Sequence, residues 1–81
     1  MRPTMPRYFF DFADANELYQ DDQGTDLPDA EAARVEAARA LAAIVKDKAD
    51  GSSRDFAMIV RTEKGEVLLH ARIRFEIEMA H

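Results

Sequence analysis

The fold is decided by residues 67–78, which read VLLHARIRFEIE. Every second position from residue 67 onward is apolar, and most positions between them are polar: Val67, Leu69, Ala71, Ile73, Phe75 and Ile77 against Leu68, His70, Arg72, Arg74, Glu76 and Glu78. A period of two over this length predicts an antiparallel strand with one buried and one solvated face. The turn at residues 63–66, with Gly65 suited to left-handed backbone geometry, predicts a hairpin with a strand over 56–62.

Two further stretches supply aromatic and small apolar side chains. Residues 7–13, RYFFDFA, predict a first strand that directs Tyr8, Phe10 and Phe12 to one face and Phe9 and Asp11 to the other. Residues 18–21 predict a short returning strand, and residues 22–26 a polar connection in which Gly24 supplies a positive φ.

A long helix is predicted over about residues 29–50, because alanine dominates and neither proline nor glycine interrupts residues 30–50. Asp29 and Asp26 are alternative N-caps, and Gly51 is placed to end the helix. One face of this helix is predicted to lie on the sheet: Ala30, Ala33, Ala37, Leu41 and Ile44. A second flank is either the margin of a wide buried face or a partner surface: Val35, Ala38, Ala42, Val45 and Ala49.

These patterns predict the α+β class in a two-layer arrangement, with one helix packed on a three- or four-stranded, mainly antiparallel sheet in the order β(β)αββ. The single domain is expected to span residues 6–79, preceded by a disordered lead-in at residues 1–5. The predicted inward set of the sheet comprises Tyr8, Phe10, Phe12, Phe56, Met58, Val60 and the alternate residues from Val67 to Ile77.

Composition narrows the classes of function. The chain of 81 residues has no cysteine, so disulfides, zinc–thiolate sites and thiol catalysis are excluded and a cytoplasmic location is expected. No apolar run approaches the roughly 18–20 residues of a membrane span. The net charge of −5 disfavours nucleic acid as the default partner, because such binding depends on neutralising phosphates.

No catalytic, cofactor-binding or metal-binding residue is predicted. The acidic side chains of the first loop do not have the spacing of a calcium-binding loop and are interpreted as turn and capping residues. Ser52 and Ser53 lie in a predicted loop without a base and orienting group beside them, which disfavours a hydrolase.

The sequence also resembles a known family. The opening Met5-Pro6-Arg7-Tyr8-Phe9-Phe10-Asp11-Phe12 is followed by Asp22-Gln23-Gly24, Leu27-Pro28-Asp29 and Glu31-Ala32-Ala33-Arg34. From residue 5 onward this arrangement is similar to a family of short bacterial proteins known only as a domain of unknown function. The resemblance implies the fold and a bacterial cytoplasmic setting, and it implies no activity, ligand or catalytic residue.

The leading hypothesis is a non-enzymatic protein-interaction or homodimerisation module. The alternative is a regulatory, antitoxin-like nucleic-acid-binding protein that uses the outer sheet face, where arginines accompany an aromatic side chain. The candidate interaction surface consists of Phe9, Ile59, Leu68, Arg61, Arg72, Arg74, Val35 and Val45.

Overall fold

The computed structural model describes residues 5–80 and confirms the α+β class. The elements, in chain order, are β1 (Arg7–Asp14), β2 (Leu18–Tyr19), β3 (Thr25–Asp26), α1 (Ala30–Lys48), β4 (Arg54–Thr62) and β5 (Val67–Phe75). Of the predicted disordered lead-in, residues 1–4 lie outside the described part of the chain. Met5 is 49% exposed and belongs to no helix or strand.

The sheet is antiparallel throughout and has five strands in the order β2-β1-β4-β5, with β3 also paired to β1. The predicted hairpin is β4–β5, and Gly65 has the expected positive φ of 84°. Strand β3 falls in the stretch interpreted as a polar connection. A two-residue strand has no periodicity to reveal it, and an exposed ion pair between Arg7 and Asp26 (2.9 Å) accompanies its pairing with β1.

Of the two predicted N-cap candidates, Asp29 caps the helix: its carboxylate accepts a hydrogen bond of 2.8 Å from the Ala32 N–H. Asp26 pairs with Arg7 instead. The buried residues of the helix step by four: Ala33, Ala37, Leu41 and Val45. Because four residues exceed one helical turn, this stripe drifts around the helix and reaches Val45 in the last turns. Val45 is 5% exposed, so its assignment to an interaction surface is wrong; the predicted core residue Ala30 is exposed in the first turn.

The core lies between this helical stripe and the inner face of the sheet, which contributes Tyr8, Phe12, Phe56, Met58 and Val60. Phe10, Ile44, Leu69, Ala71 and Ile73 are half-buried and pack against it. Three predicted inward residues are instead exposed: Val67, Phe75 and Ile77. A register shift at Val60/Arg61 places Val67 opposite Arg61, and the other two lie at and beyond the end of β5, where the sheet offers less cover.

The loop after β2 folds back onto the outer face of β1 through one carboxylate. Asp21 Oδ1 accepts from the N–H groups of Gln23 and Gly24, both at 3.1 Å, and Oδ2 accepts from the Phe10 N–H at 3.0 Å. Gly24 has a φ of 76°, and a Cβ there would lie 2.7 Å from Arg7 Cγ and 3.0 Å from Phe9 Cε1. Glycine is required at this position for two reasons: the positive φ, and the lack of space for a Cβ.

We therefore expect Gly24→Ala to destabilise the fold by about 2–4 kcal/mol, because left-handed strain of about 1–2 kcal/mol adds to overpacking. Gly51→Ala is the matched control, since Gly51 has a φ of 89° but a Cβ there would have nothing within 4 Å. Urea unfolding of both variants separates the two costs. Equal losses of stability in the two variants would show that crowding of the added Cβ against Arg7 and Phe9 costs nothing.

Candidate interaction surface

On the outer face of the sheet, a buried ion pair joins Asp11 of β1 to Arg61 of β4. Asp11 is 4% exposed, and its carboxylate accepts hydrogen bonds from Arg61 Nε (2.6 Å) and from an Arg61 terminal nitrogen (3.1 Å). The Arg61 guanidinium also donates to the Asp21 carbonyl and lies over the Phe9 ring, 5.2 Å from its centroid. These bonds hold the pKa of Asp11 below its ordinary value. The charge of Arg61 and the ring face of Phe9 are therefore occupied by contacts within the domain.

Other acidic residues of the first loop also have structural partners. Asp14 Oδ1 accepts from the N–H groups of Asn16 and Glu17, both at 3.1 Å, and the Asp21 N–H donates to Asp11 at 2.9 Å. Within residues 5–80, no group of three or more histidine or acidic side chains is arranged to hold a metal ion. In this acidic stretch, Asp14 and Asp21 accept turn hydrogen bonds from the backbone, and Asp29 caps the helix.

The predicted surface residues separate into different places. Phe9, Ile59 and Arg61 are half-buried, Leu68 is 37% exposed on β5, and Val35 is 38% exposed on the helix. Val35 lies on the helix and is therefore set apart from the members of the surface that lie on the strands.

The three arginines of the nucleic-acid hypothesis differ in their environments. Arg61 is held by Asp11, whereas Arg74 pairs with Asp55 at 2.8 Å and with Glu76 at 3.5 Å. Of the three, only Arg72 has no ion pair to another residue in the described range. Arg61 is thus engaged within the fold, and acidic side chains lie beside Arg74.

Strand β5 is a long free edge of the sheet. It is the last strand in the sheet order, has nine residues, and within residues 5–80 has a strand on one side only. Such an edge presents N–H and C=O groups that a further strand can satisfy. The large apolar side chains exposed on it and on the segment that follows are Val67, Leu68, Phe75, Ile77 and Met79. Sequence reasoning missed this edge because strand order is not visible in periodicity.

The concave regions near β5 are shallow. One of about 390 Å³ lies at the Arg72 and Arg74 end of the outer face and is lined also by Asp14 and Asp55. A second region is lined by Ser53 of the loop before β4. In this loop Ser52 donates to Asp50, and Ser53 accepts from the Ile77 N–H. Both serine hydroxyls thus take part in hydrogen bonds that hold the loop and the segment after β5.

Together the fold and surface define a small α+β domain, with a helix covering one face of an antiparallel sheet that ends in a free edge strand. The chain belongs to the family described as Domain of unknown function (DUF6894), whose model matches residues 7–74. The resemblance predicted from the sequence is thereby confirmed. No curated protein and no solved structure matches the chain. Within residues 5–80, no helix combines the length and the apolar character needed to cross a membrane.

Proposed function

We propose that this domain is a non-enzymatic protein-interaction module that binds an extended polypeptide segment along β5. The observation that carries the proposal is the nine-residue edge strand with exposed apolar side chains at both ends. A segment added to such an edge gains main-chain hydrogen bonds, and its alternate side chains provide specificity. The proposed setting is the bacterial cytoplasm, supported by the absence of cysteine from the chain.

The two faces of β5 specify the chemistry of the bound segment. Arg72 and Arg74 are exposed on the outer face, opposite Ala57 and Asp55 of β4. Ile73 and Phe75 alternate with them, and Ile73 packs against the core. Opposite charges facing each other across strands are favourable, and apolar pairs gain by burial. The preferred partner is therefore a strand in which acidic and apolar side chains alternate.

The proposal is tested with two synthetic nine-residue peptides, one alternating Glu with Val and one alternating Lys with Val. With the full chain held dilute, the Glu peptide is expected to bind and to shift or protect backbone amides of residues 71–75 in NMR spectra. The Lys peptide is expected to bind at least about tenfold more weakly, since it places like charges opposite each other.

Variants with Arg72→Glu and Arg74→Glu together are expected to reverse this preference between the two peptides. Equal binding of both peptides by the unmodified chain would contradict the proposal. Binding that shifts only amides on the exposed side of α1 would contradict it as well, because the free edge would then have no part in recognition.

A further inference from the structure

The chain itself contains a segment of the chemistry that β5 prefers. Residues 71–79 read ARIRFEIEM, and their charges invert about Phe75. Arg74 precedes this residue as Glu76 follows it, and Arg72 is related to Glu78 in the same way. The apolar positions are symmetric too, with Ile73 matching Ile77 and Ala71 matching Met79. If two copies of this segment paired antiparallel about Phe75, each arginine would therefore face a glutamate and each apolar residue would face another apolar residue.

Building on the proposed function, we propose that the partner of β5 is β5 of a second copy, antiparallel and centred with Phe75 opposite Phe75. The interface is isologous, as in most homodimers, so each contact occurs twice. Arg74 lies opposite Glu76 of the second copy and Arg72 opposite Glu78, all on the outer face. The two sheets become one continuous sheet with both helices on the same face.

The exposure of these side chains supports this partner. The side chains of Arg74 and Glu76 are 67% and 71% exposed. Phe75, Ile77 and Met79 are 36%, 43% and 82% exposed, although all three are large and apolar. A second copy in this register would cover the apolar set and give Arg72 an acidic partner.

Residues 76–80, which follow β5, are available to pair with the second copy. Residues 76–80 belong to no strand, so their main-chain groups have no ladder partner within the described chain. The Ile77 N–H donates to Ser53 Oγ at 2.9 Å, which holds this segment beside the residue before β4. Pairing with Ala71–Arg74 of the second copy would extend the strand to Met79.

Charge also selects the register. Centring the pair on Arg74 places two arginines opposite each other, and centring it on Glu76 does the same with two glutamates. A shift by one residue places charged side chains opposite apolar ones and exchanges the faces. The register centred on Phe75 is the one that pairs Arg72 and Arg74 with acidic residues throughout.

The test uses two charge-reversed full-length chains. One carries Glu76→Arg and Glu78→Arg, which makes all four outer positions basic, and the other carries Arg72→Glu and Arg74→Glu, which makes them acidic. The control carries Glu36→Arg and Glu66→Arg, with the same change in net charge as the basic chain but outside residues 71–79. Circular dichroism establishes that each is folded, and sedimentation equilibrium gives its mass.

We expect the unmodified chain and the control to dimerise, and each reversed chain alone to have a dissociation constant raised about tenfold or more. An equimolar mixture of the two reversed chains is expected to restore the dimer, because each basic position again faces an acidic one. A monomeric unmodified chain at high concentration would overturn this inference, while peptide binding at β5 would still uphold the interaction module. A dimer indifferent to both reversals, or reversed chains that fail to pair in the mixture, would also overturn it.

Discussion

Leu41→Ala is expected to lower the free energy of unfolding by about 2–5 kcal/mol, the range for removing a buried leucine side chain and leaving a cavity. Leu41 is 1% exposed and lies in the helical stripe between Ala37 and Val45. With about 0.05–0.15 kcal/mol per residue, a domain of this size has a total stability of only about 4–12 kcal/mol. This single substitution therefore threatens the fold itself.

The matched control for this experiment is Val35→Ala on the same helix. Val35 is 38% exposed, so its truncation removes little buried surface, and alanine has the higher helix propensity. Urea unfolding should place this control within about 0.5 kcal/mol of the unmodified chain. Both variants are compared at one protomer concentration, because self-association shifts apparent stability. Similar stabilities for the two variants would refute the assignment of the core.

Asp11→Ala is expected to cost about 3 kcal/mol, because it leaves the Arg61 guanidinium half-buried without its partner. The Asp21 N–H, which donates to Asp11 at 2.9 Å, loses its acceptor as well. Asp55→Ala is the control at an exposed pair, with Asp55 and Arg74 side chains 62% and 67% exposed. It should cost less than about 1 kcal/mol in the same urea unfolding measurement.

A double substitution tests whether the loss comes from the unpaired charge. Replacing Asp11 and Arg61 together with leucine removes both charges, and we expect it to recover at least half of the loss caused by Asp11→Ala. If the double variant were less stable than the single one, the Asp11–Arg61 pair would not be the source of the effect.

The same pair also has a pH signature. Arg61 hydrogen bonds hold the pKa of Asp11 below its ordinary value of 3.8, so the unfolded chain takes up this proton at a higher pH than the folded chain. Stability from the pair is therefore complete at neutral pH and is lost as the pH falls below 3.8 and through the folded-state pKa. The stability difference between the unmodified chain and Asp11→Asn should be constant above about pH 5 and shrink in acid. A difference that stayed constant into strong acid would contradict the pairing.

Local patterns in the sequence predict the elements of the fold. The alternation in residues 67–75 corresponds to β5, and the run of alanines to α1 with its cap at Asp29. Such signals are local, because a strand's period and a helix's capping residue are written within a few positions. The alternation misplaces Val67 because the register shift opposite Val60 and Arg61 depends on the neighbouring strand.

Features that depend on distant residues were not predictable in this way. The alternation in β1 predicts that Asp11 lies on the outer face, but its burial depends on the loop at Asp21 folding over it, a contact across 10 residues. The charge inversion about Phe75 is present in the sequence, but it can direct pairing with a second copy only because β5 is the edge strand of the sheet. Strand order decides that edge, and no short stretch of chain encodes it.

Cysteine cross-linking tests most directly whether two copies meet at Phe75. Because the chain has no cysteine, Phe75→Cys introduces one thiol per copy, and Leu68→Cys gives a control of matched exposure, 37% against 36%. Under mild oxidation in dilute solution, we predict rapid formation of a disulfide-linked dimer from Phe75→Cys. We predict little from Leu68→Cys, because the two copies of residue 68 lie far apart when the pair is centred on Phe75. Equal cross-linking of the two chains, or none from Phe75→Cys, would contradict the paired edge.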